Sequence, residues 1–358
     1  MMNTTINNHK AGEEQTRKTV PTTPESKNGE KLIIFKDEES KWAWLAGLVD
    51  SEGYIGLDKV EAPTNYGYCF LPRLVIDSTS RLIIETLKRN FDAYITERKP
   101  KCLRHKTAFY YTLTPRKGLR TVLTNILNYL IVKKEQSKLM IKSIDILANN
   151  KHLRSSTHKQ KYLNNCIELN EIYLKIKSLN HRGISKSISH NQDEEIVRNS
   201  KPKKETKLIN FTSNKSKWVW LAGLVDGDGC VCLGKNKVSR KSGYVFCPSL
   251  TIWNTNRALL LEVQKTFGGK IYIHYRKNPN WKTIFDYQLY QREALRYALT
   301  NLVSYLVIKR TQAKLLIEAL NLLKSNRYLR TEKEKYLVNC RKLNEIYLRM
   351  KELNKRGV

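Results

Sequence analysis

Two carboxylates occupy matching positions in a repeated segment of this chain. Lys41–Asp50 (KWAWLAGLVD) recurs 176 positions later as Lys217–Asp226 (KWVWLAGLVD), and each copy runs on into an acidic residue between small ones, SEG with Glu52 and GDG with Asp228. The apolar spacing predicts a helix over each copy, which places both carboxylates at helix C-termini, where the dipole disfavours negative charge. A bound cation would remove that conflict. The alternative is that both acids are solvated helix ends, but their duplicated position favours one active site built by two halves.

The helices that carry these acids are predicted to pack against each other. Two helices approach closely only where their side chains are small, and both copies carry small residues within the apolar run. The predicted contact residues are Ala43, Ala46, Gly47, Ala222 and Gly223. Ser40 and Ser216 are suited to cap the two helices. We expect Asp50 and Asp226, two residues before the acids, to have a structural role at the helix ends.

The duplication extends over most of the chain. Leu169–Leu174 (LNEIYL) recurs unchanged as Leu343–Leu348, so the repeats cover residues 31–183 and 207–358, two units of domain size. Residues 1–30 are polar and rich in Asn, Thr, Lys and Glu, and they predict a disordered tail. Residues 184–206 have a similar composition and predict a linker between the two domains.

The apolar period changes in the same order within each repeat and predicts αββαββα followed by C-terminal helices. Alternation of apolar and polar residues predicts strands, and spacing of three and four predicts helices. The predicted strands are Tyr54–Lys59, Phe70–Asp77, Tyr94–Arg98 and Phe109–Leu113, then Cys230–Lys235, Phe246–Trp253, Ile271–Arg276 and Thr283–Leu289. The fold class is therefore α+β, with two pseudo-symmetric domains.

The charge balance favours a polyanionic partner. The chain has 65 Lys and Arg against 33 Asp and Glu, a net charge of +32, and the excess lies on the two repeats. Nucleic acid is the expected partner, with lysines that only solvate helix faces as the alternative. We expect neither secretion nor a membrane span, because no apolar run is long enough. Seven scattered cysteines predict reduced thiols in an intracellular protein, of an organelle or a prokaryotic cytoplasm.

The two repeated segments, each opening an αββαββα unit, resemble the signature of the LAGLIDADG homing endonucleases in their two-repeat, single-chain form. The resemblance covers about residues 31–357 and rests on LAGLVDSEG and LAGLVDGDG. It implies two signature helices packed side by side and antiparallel strands that lie in the major groove of DNA. It also implies a monomer that makes a site-specific double-strand break with a divalent metal, typically for intron homing.

The resemblance assigns roles to further residues. Glu52 and Asp228, with the carbonyls of Ser51 and Gly227, supply the hard oxygen ligands that suit Mg²⁺, which stabilises attacking and leaving oxygens during phosphodiester hydrolysis. A basic residue before the last helix of each repeat matches the family and is paired with a glutamine. These candidate catalytic residues are Lys133 with Gln136 and Lys309 with Gln312. A lysine there stabilises charge on the phosphorane, and the alternative is a phosphate-positioning or solvated lysine.

Strand alternation predicts which residues face DNA. If Leu74 and Ile76 face the helices, the intervening residues face the groove, and the same argument applies to the second repeat. The candidates are Arg73, Asp77, Arg81, Thr96, Arg98, Ser249, Thr251, Trp253, Tyr272, His274 and Arg276. Trp253 departs from the polar residue that the family often has there, whereas Asp77 matches it. Because the halves differ at facing positions, the target is expected to be long and asymmetric.

Two other functions fit the same fold. One is an RNA-binding intron maturase, with host intron RNA as the partner, and this activity can coexist with cleavage. The other is a catalytically silent DNA-binding protein, which would tolerate the loss of either acid. Retention of both Glu52 and Asp228 argues against the silent DNA-binding protein, whereas against the maturase it indicates only that cleavage has not been lost.

Overall fold

The computed structural model describes residues 32–62, 67–91, 93–98, 107–150, 158–181, 209, 211–238, 244–276, 278, 281–325 and 333–355. The predicted tail (1–30) and linker (184–206) lie outside these ranges. From Leu32 onward the chain forms one compact unit. Within the described ranges, every helix is too short or too polar to cross a membrane.

Each repeat has the predicted order of elements, so the α+β fold class is confirmed. The first repeat consists of α1 (Glu38–Glu52), β1 (Gly53–Glu61), β2 (Tyr68–Ser78), α2 (Arg81–Asn90), β3 (Tyr94–Arg98), β4 (Ala108–Leu113), α3 (Arg116–Ile126), α4 (Lys134–Asn149) and α5 (Lys159–Leu179). The second consists of α6 (Asn214–Asp228), β5 (Gly229–Lys237), β6 (Tyr244–Asn254), α7 (Arg257–Phe267), β7 (Lys270–His274), β8 (Ile284–Leu289), α8 (Arg292–Leu302), α9 (Arg310–Ser325) and α10 (Lys333–Leu353).

Each repeat builds one antiparallel four-stranded sheet. The strand orders are β1-β2-β4-β3 and β5-β6-β8-β7. Alternate residues of the second strands are buried against the helices, with Leu74, Ile76, Leu250 and Ile252 fully covered. Because side chains alternate along a strand, the intervening residues lie on the opposite, more open face. The sheets therefore each present one open face away from the core.

The middle parts of the central helices, Ala43–Val49 of α1 and Trp218–Val225 of α6, are apolar and buried, as expected of a helix enclosed on all sides. A β-carbon built on Gly47 would overlap the carbonyl oxygen of Trp220 and lie 2.8 Å from the amide nitrogen of Leu224. Gly223 meets the carbonyl oxygen of Trp44 in the same way. The two backbones are therefore in direct contact at these glycines.

The N-cap of each central helix lies three residues before the predicted cap. The N-caps are Asp37, whose carboxylate accepts from Ser40 N at 2.8 Å, and Ser213, whose hydroxyl accepts from Ser216 N at 3.0 Å. Ser40 and Ser216 are thus the third helical residues, and the expectation that they cap the helices is wrong. The caps also join the repeats, because Lys215 pairs with Asp37 at 2.6 Å and Ser213 donates to Glu39 at 2.9 Å.

Duplicated hydrogen bonds fasten the last helix of each repeat to its first strand. Lys59 donates to Asn170 at 2.8 Å, and Lys235 donates to Asn344 at 2.6 Å. At the helix ends, Asn180 donates to the carbonyl of Ile55 at 2.8 Å, and an equivalent bond joins Asn354 to Val231. These contacts hold β1 and β5, which start directly after the two acidic residues, against α5 and α10.

Candidate active site and nucleic-acid interface

The predicted acids lie together where α1 and α6 end. Glu52 and Asp228 are the last residues of the two helices, and a β-carbon on Gly227 would overlap the Ser51 hydroxyl, so the helix ends touch. An open cleft of about 910 Å³ is lined by Ser51, Glu52, Asp77, Lys133, Gln136 and Arg276, among others. A second cavity of about 280 Å³ is lined by Glu52, Asp77, Gly227 and Lys309. The helix pairing thus brings the acids and both lysines of the two repeats to one place.

The Glu52 carboxylate lies near two other negative charges. Removal from bulk water raises its pKa to about 7, and the negative charges of Asp228 and Asp77 add to that rise. The positive charge of Lys309 acts in the opposite direction. Part of the Glu52 side chain is still exposed, so this acid is open to a ligand that approaches from the cleft.

Asp228 is half-buried, and burial raises its pKa to about 6. Three groups lower the pKa against this effect: a hydrogen bond from Asn254 and the charges of Lys133 and Lys309. The Asn254 amide donates to Asp228 Oδ2 at 2.7 Å. A lysine of the first repeat therefore acts on the acid of the second, so the site is composite.

Asp50 and Asp226 explain how the lysines are placed. The Asp50 carboxylate accepts three backbone N–H groups, from Ile131 at 2.7 Å, Val132 at 3.0 Å and Lys133 at 2.9 Å. Asp226 accepts the matching three from Val307, Ile308 and Lys309 at 2.8–3.2 Å. Both acids are 2% exposed. Burial raises the pKa of both, to about 6 for Asp50, while the N–H donors favour the charged form.

The two candidate glutamines begin the helices that follow these loops. Gln136 lies in the first turn of α4 and lines the larger cleft, and Gln312 holds the matching place in α9. Both are buried, at 4% and 6% exposure. In the described part of the chain the Gln312 Oε1 atom has no hydrogen-bond partner, although buried polar atoms nearly always have one. Gln136 is thus the glutamine that lines the larger cleft, whereas Gln312 lines neither of the two cavities described above.

The residues at this site fit a hard divalent cation. Mg²⁺ in proteins is commonly bound by one or two carboxylates together with substrate phosphates. Glu52 and Asp228 supply carboxylates of that kind, at the junction of the helix ends that also carries the carbonyls of Ser51 and Gly227. Among the residues described, no group of three or more His, Cys, Asp or Glu side chains could hold a metal by itself. The donors therefore suit an ion that is completed by water or phosphate oxygens.

On the open face of the first sheet, one of the predicted DNA-facing residues forms an ion pair with another residue of the same sheet. Asp77 and Thr96 are exposed, while Arg73 is held by Asp58 of β1, with Nε 2.9 Å from Oδ2. Arg81 lies at the start of α2 and pairs with Glu85 at 2.7 Å. Arg98 is the last residue of β3, and its side chain lies outside the described part.

The open face of the second sheet is aromatic and largely uncharged. Trp253 and His274 stack with ring centroids 4.7 Å apart, and both are exposed. Beneath them lies Asp286, which is 1% exposed and 3.5 Å from His274 Nε2. Tyr272 is exposed on the same strand as His274, and Ser249 and Thr251 are half-buried on β6. Arg276 lies two residues past the end of β7, so its predicted place on that strand is wrong, and it lines the active-site cleft instead.

Sequence reasoning missed Asn254, Asp58 and Asp286. Each makes a specific contact, but Asn254 is one residue beyond the predicted end of its strand, and it replaces Ser78 of the first repeat. If the predicted β2 and β6 had each been one residue longer, the difference between Ser78 and Asn254 would have been placed next to Glu52 and Asp228. Asp58 and Asp286 lie on strands that were correctly predicted, so alternation alone could have put them on the open faces.

Comparison with known proteins agrees with this geometry. No protein-family profile matches the chain. The DNA endonuclease I-CvuI of Chlorella vulgaris is 34% identical over 108 residues, which are 28% of this chain and 62% of that relative. The chain therefore spans less than two thirds of that relative's length.

Solved structures extend the likeness to almost the whole chain. The I-SmaMI LAGLIDADG homing endonuclease bound to cleaved DNA matches with a TM-score of 0.61 and 16% identity, over 91% of this chain and 100% of that one. I-LtrWI, a LAGLIDADG homing endonuclease bound to target DNA, matches with a TM-score of 0.61 and 17% identity, over 90% and 99%. These likenesses establish the fold, and together with I-CvuI they confirm the resemblance predicted from the two signature segments.

Proposed function

We propose that this chain, which has the fold of the single-chain LAGLIDADG homing endonucleases, is a metal-dependent endonuclease that makes a double-strand break at a long asymmetric DNA site. The observation that carries the proposal is the meeting of Glu52 and Asp228 at the ends of two helices in backbone contact. Lysines of both repeats act on these acids. The arrangement combines cation-binding oxygens with positive charge, which phosphodiester hydrolysis requires.

Each group of residues has a distinct task in this function. Glu52 and Asp228 hold Mg²⁺, which when bound stabilises the attacking and leaving oxygens. Lys133 and Lys309 place positive charge beside the reacting phosphates, in loops that Asp50 and Asp226 fix through six N–H hydrogen bonds. Because the loops that carry Lys133 and Lys309 are fixed before substrate binds, little reorganisation of these loops is needed during the reaction.

The open faces of the two sheets supply the DNA contacts. Double-stranded DNA is the proposed partner, since the net charge of +32 suits a polyanion and the sheets present polar and aromatic side chains of both repeats. The two faces differ in chemistry, with charged Asp77 and Arg73 on one and Trp253, Tyr272 and His274 on the other. An asymmetric target follows from this difference, and intron homing by a monomer is the proposed biological use.

The test begins with selection of bound sequences from randomised double-stranded DNA, followed by cleavage of the selected sequence with Mg²⁺. The wild-type protein should cut both strands, and Glu52→Gln and Asp228→Asn should lose roughly 10²-fold or more of that rate while DNA binding with Ca²⁺ persists. Glu293→Gln is the matched control, because Glu293 lies on α8 and pairs only at the surface with Arg296.

Two results would contradict the proposal. One is a wild-type protein that binds the selected DNA but cuts neither strand at any Mg²⁺ concentration. The other is a pair of acid variants that cut both strands at the wild-type rate, which would exclude these carboxylates from the reaction.

A further inference from the structure

Asn254 is fixed at both ends of its side-chain amide. Its Nδ2 donates to Asp228 Oδ2 at 2.7 Å, and its Oδ1 accepts from Asn256 N at 2.8 Å. Because the carbonyl oxygen is committed to a backbone donor, the NH₂ group must point at the acid. The last residue of β6 therefore holds one oxygen of the Asp228 carboxylate in place.

The described part of the first repeat shows no equivalent contact. Ser78 occupies the matching position, and its hydroxyl accepts from Ser80 N at 3.1 Å. Within the described residues, no hydrogen bond reaches the Glu52 carboxylate. The Glu52 carboxylate instead lies near Asp77 of β2, a second negative charge, at the position where the second repeat has Trp253.

We propose that Asn254 is a positioning residue that holds the Asp228 carboxylate in its cation-binding orientation, so that the two halves of the site prepare their acids by different means. The assignment rests on the proposed endonuclease function. A neutral amide is suited to this task, since it orients the carboxylate without cancelling the charge that a cation needs, whereas a lysine would neutralise it. Asp228 Oδ1 has no protein donor among the described residues and is left for that cation.

The proposal predicts an effect on one strand. Groups that orient a metal ligand typically contribute 10–100-fold to metal affinity or activity. Loss of the Asn254 amide should therefore slow cleavage of one strand by roughly that factor, while the other strand is cut within about twofold of the wild-type rate. A residue that only supported the fold would slow both strands together.

The experiment follows each strand of the selected DNA with its own end label. The variants are Asn254→Ser, which introduces the residue found in the first repeat, and Asn254→Asp, which keeps the acceptor for Asn256 N but removes the donor. Asn301→Ser is the control, because it removes an amide that donates only to Tyr297 O on the surface of α8. Calorimetric titration of Ca²⁺ into each uncleaved protein–DNA complex measures cation binding independently of cleavage.

The expected result has three parts: one strand slows, higher Mg²⁺ partly restores it, and Ca²⁺ binds roughly tenfold more weakly in both Asn254 variants but not in the control. Equal slowing of both strands, or unchanged cleavage and Ca²⁺ binding, would overturn the assignment and leave the proposed function intact. A wild-type protein that cuts neither strand would overturn the function and the assignment together.

Discussion

At the scale of single residues, two buried aspartates, rather than the candidate metal-binding acids Glu52 and Asp228, hold the loops that carry Lys133 and Lys309. Asp50 and Asp226 each accept three consecutive backbone N–H groups while almost fully buried. A buried carboxylate is tolerated when donors surround it in this way. Trp44 adds a further donor to Asp226 at 3.4 Å from the opposite repeat. The same residues thus stabilise the fold and position Lys133 and Lys309.

Asp50→Asn should destabilise the protein and disturb the Lys133 loop. An amide cannot accept three N–H groups as a carboxylate does, and a hydrogen bond to a charged group contributes about 1.5–3 kcal/mol. The free energy of unfolding, measured with urea, should fall by about 3 kcal/mol. The control is Asp145→Asn, which breaks an exposed pair with Arg120 and should cost much less, because solvent screens that pair. Equal losses in both variants would show that the loop does not depend on Asp50.

The stability of the metal-free protein should depend on pH through Glu52. Its pKa is raised from 4.5 to about 7, so the folded state holds this proton more tightly than the unfolded state. Its contribution is fully present below pH 4.5 and is lost as pH rises through 7. Thermal unfolding with a chelator should show that wild type loses more stability between those values than Glu52→Gln. Parallel melting curves for the two proteins would contradict the raised pKa, and Ca²⁺ should restore wild type above pH 7.

Much of the site could be predicted from residues, but the loop contacts could not. Duplication pointed to Glu52 and Asp228, because two copies of a motif mark equivalent positions, and the family resemblance pointed to Lys133 and Lys309. The three-donor contacts of Asp50 join residues 81–83 positions apart, which no local spacing reveals. The Asn254 contact was hidden for another reason, since it depends on where the strand ends.

At the scale of elements, the contact between the two central helices determines where the site forms. Their glycines lie against carbonyl oxygens of the opposite helix, so no side chain separates the backbones. This close approach is what brings the two helix ends, and with them the acids, together. Small residues predicted such a contact, but the sequence alone could not say which carbonyls they would meet.

Gly47→Ala should destabilise the protein although alanine favours helices. The new methyl group would overlap Trp220 O, a backbone atom that cannot rotate away, and overpacking typically costs 1–3 kcal/mol. Gly118→Ala in α3 is the matched control, because its β-carbon would meet only Leu113 Cδ1, at 3.8 Å. That variant should be stabilised by about 0.5–1 kcal/mol. Opposite signs in urea unfolding support the helix contact, and a stabilised Gly47→Ala would exclude it.

Strand alternation predicted the sheet faces well because one face of each sheet is buried. Leu74, Ile76, Leu250 and Ile252 fix the register, since a slip by one residue would expose all of them. Strand ends were less predictable, as Arg276 shows, because alternation continues past the last ladder hydrogen bond. Ion pairs such as Arg73 with Asp58 depend on the pairing of neighbouring strands, which the pattern of a single strand does not contain.

At the scale of the whole molecule, positive charge is the dominant feature. The chain carries a net charge of +32 in 358 residues, a value that already counts the acids of surface pairs such as Arg120 with Asp145. A protein that neutralises several phosphates releases the counterions held there. DNA affinity should therefore depend strongly on salt.

Binding to the selected DNA should weaken by roughly 10³-fold or more between 50 and 200 mM salt, with a slope near −0.9 per neutralised phosphate. Fluorescence anisotropy with Ca²⁺ held constant measures this slope. A scrambled duplex of equal length is the control and should bind more weakly with a similar salt dependence. An affinity that barely changes with salt would contradict a charge-driven interface.

The N-terminal contacts of the central helices distinguish one half from the other. At the crossing, Gly47 and Gly223 make the same contact in both directions, so it would serve two identical halves equally well. At the N-termini, Asp37 contacts Lys215, and Glu39 contacts Ser213. In the alignment of the two repeats, Asp37 corresponds to Ser213, and Glu39 corresponds to Lys215. Two first halves would set Asp37 against Glu39, two negative charges. Self-association of that half is thus opposed by its own helix ends, and pairing between unlike halves is the electrostatically preferred state.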